Sequence, residues 1–350
     1  MAYSGTVGAT VVNVQKLIDH AARRAGKLAE ELTVEQVNAA RESLYFVLSE
    51  LVNTGISYWC VDKKVIGLQA NKQVYDMPVG FNDVLNALYR KMNRPSGAYS
   101  SSSGIAVNAF DGNIDTVCTQ TSTNGNISIY YSSPVYVGSI GVLPGVSASI
   151  TVVFEYSTDG ITWQTLYSPG QQTWVNGEWL WYDIETGQNC QYYRMRAING
   201  GTLVVRELFF GNNSTEITMA RLNRDDYTNL PNKNFTANQP FQFWLTRTLP
   251  LSQMNLWPVP SDPFVQVVVW YSRQVMDVGA LTDELEIPQR WYMAILNMLA
   301  HQMALELPAI DPARIQYLAA QADKSFMLAE QEERDKSPIY FAPAIAVYTR

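Results

Sequence analysis

Charge is scarce in this chain: Asp, Glu, Lys and Arg supply only 16% of its 350 residues. The 25 basic residues are outnumbered by 32 acidic ones, and the resulting net charge of −7 disfavours a protein that grips nucleic acid through clustered Lys and Arg. An acidic surface can still surround DNA that must slide past it. Histidine is rarer. His20 and His301 each stand on an expected helix with no Cys or His at metal spacing. No P-loop, no GxGxxG after a strand, no HExxH and no GxSxG elbow occurs. The acidic pair Asp225-Asp226 lies among residues that favour turns. The expectation is a protein that is not an enzyme. No apolar run reaches about 18 residues, so no membrane span is expected. The opening MAYSGTVGATVVNVQKL lacks the basic-then-apolar pattern of a secretory signal. Cys60, Cys118 and Cys190 are widely spaced, which fits three small buried hydrophobes in a reducing compartment. A Cys118–Cys190 bridge is the alternative.

What the chain does have is 47% hydrophobic and 12% aromatic residues, enough to build real cores in two or three domains. Low charge combined with many Tyr and Trp residues suits large protein–protein contacts. The distribution is nested. Residues 96–212 read as a complete β-sandwich rich in Ser, Gly, Tyr and Thr, while 1–95 and 213–336 read as a mostly helical protein, with 337–350 as a C-terminal arm. The fold class is therefore α+β: a helical-bundle domain with short strands, interrupted by an inserted all-β jelly-roll sandwich. Such an insertion requires the two ends of its host to lie close together.

Val14, Leu17, Ile18, Ala21, Ala25, Leu28 and Leu32 form one stripe at helical spacing. Thr33-Val-Glu-Gln36 reads as a capping box opening a second helix, with Val37, Leu44, Leu48, Leu51 and Val52 inward and Gly55 as its stop. Short β-like runs follow over 57–78, and Phe81–Met92 reads as a third helix. Strand alternation returns at 215–222 and 239–272, strongest in Phe264–Tyr271. Ile287-Pro288 and Asp311-Pro312 open two long helices.

The inserted segment carries four motifs in sequence: Asn108-Ala-Phe-Asp-Gly-Asn-Ile-Asp-Thr116, Phe154-Glu-Tyr-Ser-Thr-Asp-Gly-Ile-Thr-Trp163, Tyr192-Tyr-Arg-Met-Arg196 and Val205-Arg-Glu-Leu-Phe-Phe-Gly211. Together they resemble the discoidin (coagulation-factor C-type) family of galactose-binding jelly rolls. One departure is Cys118, which stands near the place of a family Trp. The resemblance implies a structural calcium held by Asp111, Thr116 and Glu207, against which stands a loop closed by its own hydrogen bonds. It also implies glycan contact through aromatics, for which Trp174, Trp179, Trp181 and Tyr182 are the candidates, with sandwich core or subunit contact as the competing reading.

The flanks carry a second likeness. Leu17-Ile-Asp-His-Ala-Ala-Arg-Arg-Ala-Gly26, Ala39-Ala-Arg-Glu-Ser-Leu-Tyr-Phe-Val-Leu48, Gln73-Val-Tyr-Asp-Met-Pro78, the stretch from Arg221 through Pro260, and Ile287–Leu305 resemble the head-to-tail adaptors of short-tailed phages. That resemblance implies a virion protein at the head–tail junction, made in the bacterial host cytoplasm. It would form a ring of about twelve copies beneath the portal protein. Its partners would be the portal, the tail nozzle or fibre proteins, copies of itself, and double-stranded DNA passing without sequence-specific binding. The insert would touch capsid or glycans, and no membrane would be involved. Arg221, Arg224 and Tyr227 after the insert, with Ile339, Tyr340, Phe341 and Tyr348 of the arm, are the expected subunit or portal contacts, with an arm that packs back on its own chain as the alternative. The alternative is a glycan-binding virion protein whose jelly roll does the adhering.

Overall fold

The structure is a computed structural model and describes residues 12–53, 58–93, 96–198 and 200–332. It is α+β, and the described residues fall into two compact units: those up to residue 61 together with those from 272 onward, and residues 62–271.

The first unit is helical. Helices α1 (Val14–Ala25) and α2 (Val34–Asn53) come from the beginning of the chain. α1 stops at Gly26, which takes φ 103° and returns its N–H to the Ala22 carbonyl, a left-handed cap that suits glycine. The expected stripe through Leu28 and Leu32 therefore breaks, and Leu28 is exposed. The capping box stands: the Thr33 N–H donates to Gln36 Oε1 at 3.0 Å and the Gln36 N–H donates to Thr33 Oγ1 at 3.3 Å. The expected stop at Gly55 lies outside the described residues.

The middle of the chain, the second unit, is a β structure. Its first strands are β1 (Val61–Gly67), β2 (Val74–Asp76) and β3 (Phe81–Asn93). The expected helix over 81–92 is thus wrong. Val84, Ala87 and Tyr89 enter one core while Arg90 and Met92 are also buried, so buried residues occur on both faces of the strand and the two-residue period is blurred. The sandwich adds β4 (Ala98–Ser101), β5 (Cys118–Gln120), β6 (Asn126–Pro144), β7 (Ala148–Ser157), β8 (Gln164–Tyr167), β9 (Gln171–Trp174) and β10 (Leu180–Ala197). Next comes β11 (Leu203–Thr218), then β12 (Ala220–Leu222) and the short α3 (Arg224–Thr228). The unit closes with β13 (Thr236–Ala237), β14 (Gln242–Thr246), β15 (Gln253–Trp257), β16 (Val259–Pro260) and β17 (Val265–Arg273).

One sheet path runs β1-β17-β3-β11-β6-β10-β7-β8. β11 belongs to both halves of it: Val205–Gly211 pairs with β6, and Asn212–Thr218 pairs with β3. Asn93 and Asn212 are direct partners, so the two ends of the insertion meet across one ladder. The expected boundary between residues 212 and 213 falls inside this strand. Two apolar cores result. The sandwich core includes Ile127, Val152, Phe154, Trp174, Tyr193, Met195 and Phe210. A second core gathers Leu68, Met77, Val84, Phe243, Met254, Leu256, Val267 and Val269 from the flanking strands. The flanks are thus less purely helical than their sequence suggested.

α4 (Tyr292–Glu306) and α5 (Pro312–Glu332) complete the helical unit. Pro288 does not start α4; it precedes a short 3-10 turn, and the α-helix begins at Tyr292. Pro312 does occupy the first position of α5, with Asp311 Oδ1 accepting the Ala313 N–H at 3.0 Å. α4 is the shared partner of α1, α2 and α5. Its Ile295, Leu299 and Met303, with Trp291 just before it, are buried against Leu17, Ile18, Leu44 and Leu48. All three cysteines are free and buried, so the bridge between Cys118 and Cys190 does not form. No helix among the described residues is long and apolar enough to cross a membrane.

Candidate functional site

A buried polar cluster of the β unit lies where the sandwich strands run into the flanking sheet. β3 delivers Arg90, whose side chain is only 4% exposed, into this junction. Its Nε and Nη2 donate to Glu216 Oε1 of β11 at 2.9 and 2.5 Å. Its Nη1 donates to Asp183 Oδ1 of β10 at 2.8 Å and lies 3.4 Å from Gln266 Oε1 of β17. Lys63 of β1 donates to the other Asp183 oxygen. One guanidinium therefore ties four strands, two from outside the sandwich and two that form it. Burial works against charge on Asp183, but hydrogen bonds and charge from Lys63 and Arg90 hold its carboxyl below the usual carboxylate range.

Aromatic packing reinforces the same junction. Trp179 and Trp181 stack at 4.7 Å, Trp179 meets Phe264 edge-on at 5.7 Å, and Trp181 meets Phe209 at 5.3 Å. Two glycines make room for them. A Cβ on Gly67 would lie 2.3 Å from Trp179 Cβ, and one on Gly141 would lie 2.4 Å from Trp181 Cζ3. The Trp181 Nε1 is buried with no hydrogen-bond partner among the described residues.

These positions correct the expected glycan platform. Trp174 is 1% exposed in the sandwich core. Trp179 and Trp181 are taken up by the junction. Tyr182 packs on Phe154 at 5.5 Å and Tyr167 at 5.4 Å, and burial pushes its phenol up to about 12. Trp174 is thus core, while Trp179, Trp181 and Tyr182 are half-buried, each with another ring as its neighbour. The sandwich does hold a small cavity elsewhere, of about 230 Å³, lined in part by Ser96, Ile129 and Leu208. At its wall Tyr99 and Phe110 stack at 4.6 Å with their planes within 6°.

The expected calcium loop closes on itself. The Thr116 hydroxyl lies 2.8 Å from Asp111 Oδ2, and Asp111 Oδ1 accepts the Asn113 N–H at 2.8 Å. Asn113 Oδ1 accepts the Asp115 N–H at 3.1 Å, so Asx turns follow one another through the loop. Arg206 Nη1 donates to the Ile114 carbonyl at 2.8 Å, which places a cationic side chain against this loop. Glu207 is buried in β11. Among the described residues no group of three or more His, Cys, Asp or Glu side chains could hold a metal. Asp111 and Thr116 are therefore already partnered within their own loop.

A second charged cluster lies in the sandwich sheet. Glu155 is 7% exposed beneath Arg194 and Arg196, with Arg194 Nε at 2.5 Å and Arg196 Nη2 at 2.7 Å. The Arg194 guanidinium lies 4.0 Å from the Trp163 ring centroid. Burial opposes ionisation of Glu155, but hydrogen bonds from Arg196 and then Arg194 lower its carboxyl.

The expected contact residues divide. Arg221 grips Asp83 at 2.9 and 3.2 Å, an internal pair shared with Arg247. Tyr227 is buried, stacked on Trp244 at 4.5 Å, and its hydroxyl accepts from Gln73 Nε2 at 3.1 Å, so it is core and not an interface. Arg224 is exposed on α3. Ile339, Tyr340, Phe341 and Tyr348 lie outside the described residues.

No family model and no curated protein matches the chain. Among solved structures, a family 32 carbohydrate-binding module of AlyQ in complex with 4,5-unsaturated mannuronic acid is similar at 16% identity. It covers 34% of this chain and 98% of that chain, with a TM-score of 0.31. The family 32 module of Clostridium perfringens NanJ in complex with galactose gives 18% identity over 35% of this chain and 98% of that chain, TM-score 0.30. An F5/8 type C domain from Bacteroides fragilis gives 16%, 36%, 98% and 0.30 in the same terms.

Proposed function

We propose that this chain is a non-catalytic structural protein of a phage head-to-tail junction, an adaptor that joins portal to tail and carries a jelly roll as a fixed fitting. The observation that supports this reading best is the junction at Arg90. A module that acts as a tethered adhesin needs only a flexible linker. Here β11 runs through from sandwich to flanking sheet, and one buried guanidinium bonds strands of both. Such a mount transmits position and load, which is what a connector requires. The net charge of −7 suits a channel through which DNA passes without adhering. Capsid, tail nozzle and fibres are the proposed contacts of the jelly roll.

The test is location. Antibody raised against the sandwich should label the portal vertex of intact virions. Labelling along distal fibres only, or no labelling, would reject the adaptor reading.

A second reading, carbohydrate adhesion by the jelly roll, is favoured by the cavity at Tyr99 and Phe110, whose paired rings offer an apolar face. Glycan-array binding by the full chain, lost in Phe110→Ala, would support it. Binding that survives this substitution would remove the cavity from consideration.

A further inference from the structure

Among the described residues the helical unit has two exposed faces that differ in sign. The first is an open groove of about 810 Å³ between α1, α4 and α5. Arg23, Arg24, Arg314 and Lys324 line it, and no Asp or Glu does. Among the described residues no carboxylate lies within ion-pair distance of these four cations, in a protein that is acidic overall. Its walls also expose Met293, Tyr317 and Leu328, each more than half accessible. The floor is ordered: buried Asn297 donates to Ser325 Oγ at 3.0 Å and accepts from Arg24, and Arg314 Nε donates to the Arg24 carbonyl at 2.9 Å.

The second face is the outer side of α2. Glu35, Glu42, Tyr45, Phe46, Ser49 and Glu50 follow helical spacing and are all exposed. Tyr45 and Phe46 meet edge-on at 5.7 Å, and Phe46 is 65% accessible. Buried Leu44, Val47 and Leu48 hold the opposite side of α2 in the core, so this acidic, aromatic stripe is fixed outward.

We infer that the groove receives the outer face of α2 from a second copy of the chain. Charge complementarity selects this occupant, since the groove supplies cations and apolar side chains while α2 supplies carboxylates and two aromatics. A phosphate backbone would satisfy the cations but leave Met293, Tyr317 and Leu328 uncovered. No residue of α2 lines the groove, so the two faces are distinct and the contact is head-to-tail. Repeated, it produces rings or filaments rather than closed dimers. For its biological meaning the contact rests on the structural reading above, but it is measured on the chain alone. A chain that self-associates yet ignores a portal would separate the two ideas.

The test is sedimentation velocity of the full chain with two charge-altering variants at exposed positions, Phe46→Lys on α2 and Arg23→Glu/Lys324→Glu in the groove. Circular dichroism and thermal melting check that each stays folded. Wild type should form species larger than a dimer with rising concentration, and each variant should weaken association at least about tenfold. A mixture of the two variants should form dimers and nothing larger, because each brings one intact face. A wild-type chain that stays monomeric at its solubility limit, or variants that associate like wild type, would overturn the proposal. So would a mixture that stays monomeric. Binding of duplex DNA that is lost in the groove variant while association is unchanged would give the groove to nucleic acid instead.

Discussion

Removing the Arg90 guanidinium should loosen the whole β unit. Arg90→Met keeps most of the aliphatic packing but leaves Glu216 and Asp183 without the cation they share across the junction. Breaking one side of a fully buried ion pair costs about 3–5 kcal/mol. Glu216 and Asp183 are about one-third exposed, and water recovers part of their hydration. An expected loss of about 3 kcal/mol follows, or a melting shift of about 6–12 °C for a unit of this size. The pH dependence carries a second signature. The Asp183 carboxyl sits below its unfolded value of about 3.9. The stability it contributes is therefore fully present above that value and is lost as pH falls through the lowered one. Urea unfolding of wild type and variant at neutral pH and at decreasing acid pH would show the gap narrowing below about pH 4. A melting shift under about 1 °C at neutral pH, or a gap that widens in acid, would refute the claim that Arg90 fastens sandwich to sheet.

Other expectations rest on equally local geometry. Gly67→Ala and Gly141→Ala place a methyl against Trp179 and Trp181 and should each cost about 1–3 kcal/mol, measured by urea unfolding. Glu155→Ala leaves Arg194 and Arg196 facing each other and should cost about 2–3 kcal/mol, with near-ultraviolet dichroism reporting the loosened Trp163. Millimolar calcium and chelator should give the same melting curve. A tight site at a hundredfold excess of ion would add about 2.7 kcal/mol, and such a shift would contradict the self-closed Asp111–Thr116 loop.

Much of the fold was legible because it is local. The Thr33–Gln36 box and Asp311-Pro312 announce helix starts through side chains within three residues of the backbone they serve. β17 showed as a Val-rich run because both of its faces are buried. β3 was misread for the same reason turned around. Phe81, Val84, Leu88 and Met92 fall by chance at helical spacing, while the two neighbours that make the segment a strand, β17 and β11, lie far away in sequence. The junction was invisible too. Arg90 is separated from Asp183 by 93 positions and from Glu216 by 126, and no short-range pattern links them. The tryptophans gave half a signal: they stood out as aromatics with a core reading beside the glycan one, but nothing near them in sequence shows that Gly67 and Gly141 make room for Trp179 and Trp181.

The adaptor claim is tested most directly by native mass spectrometry of the full chain mixed with the portal protein of the same phage. The account predicts a discrete complex in which copies of this chain assemble on the portal ring. It also predicts that Phe46→Lys reduces the number bound. A chain that leaves the portal ring at its own mass, under conditions where both are folded, would contradict it.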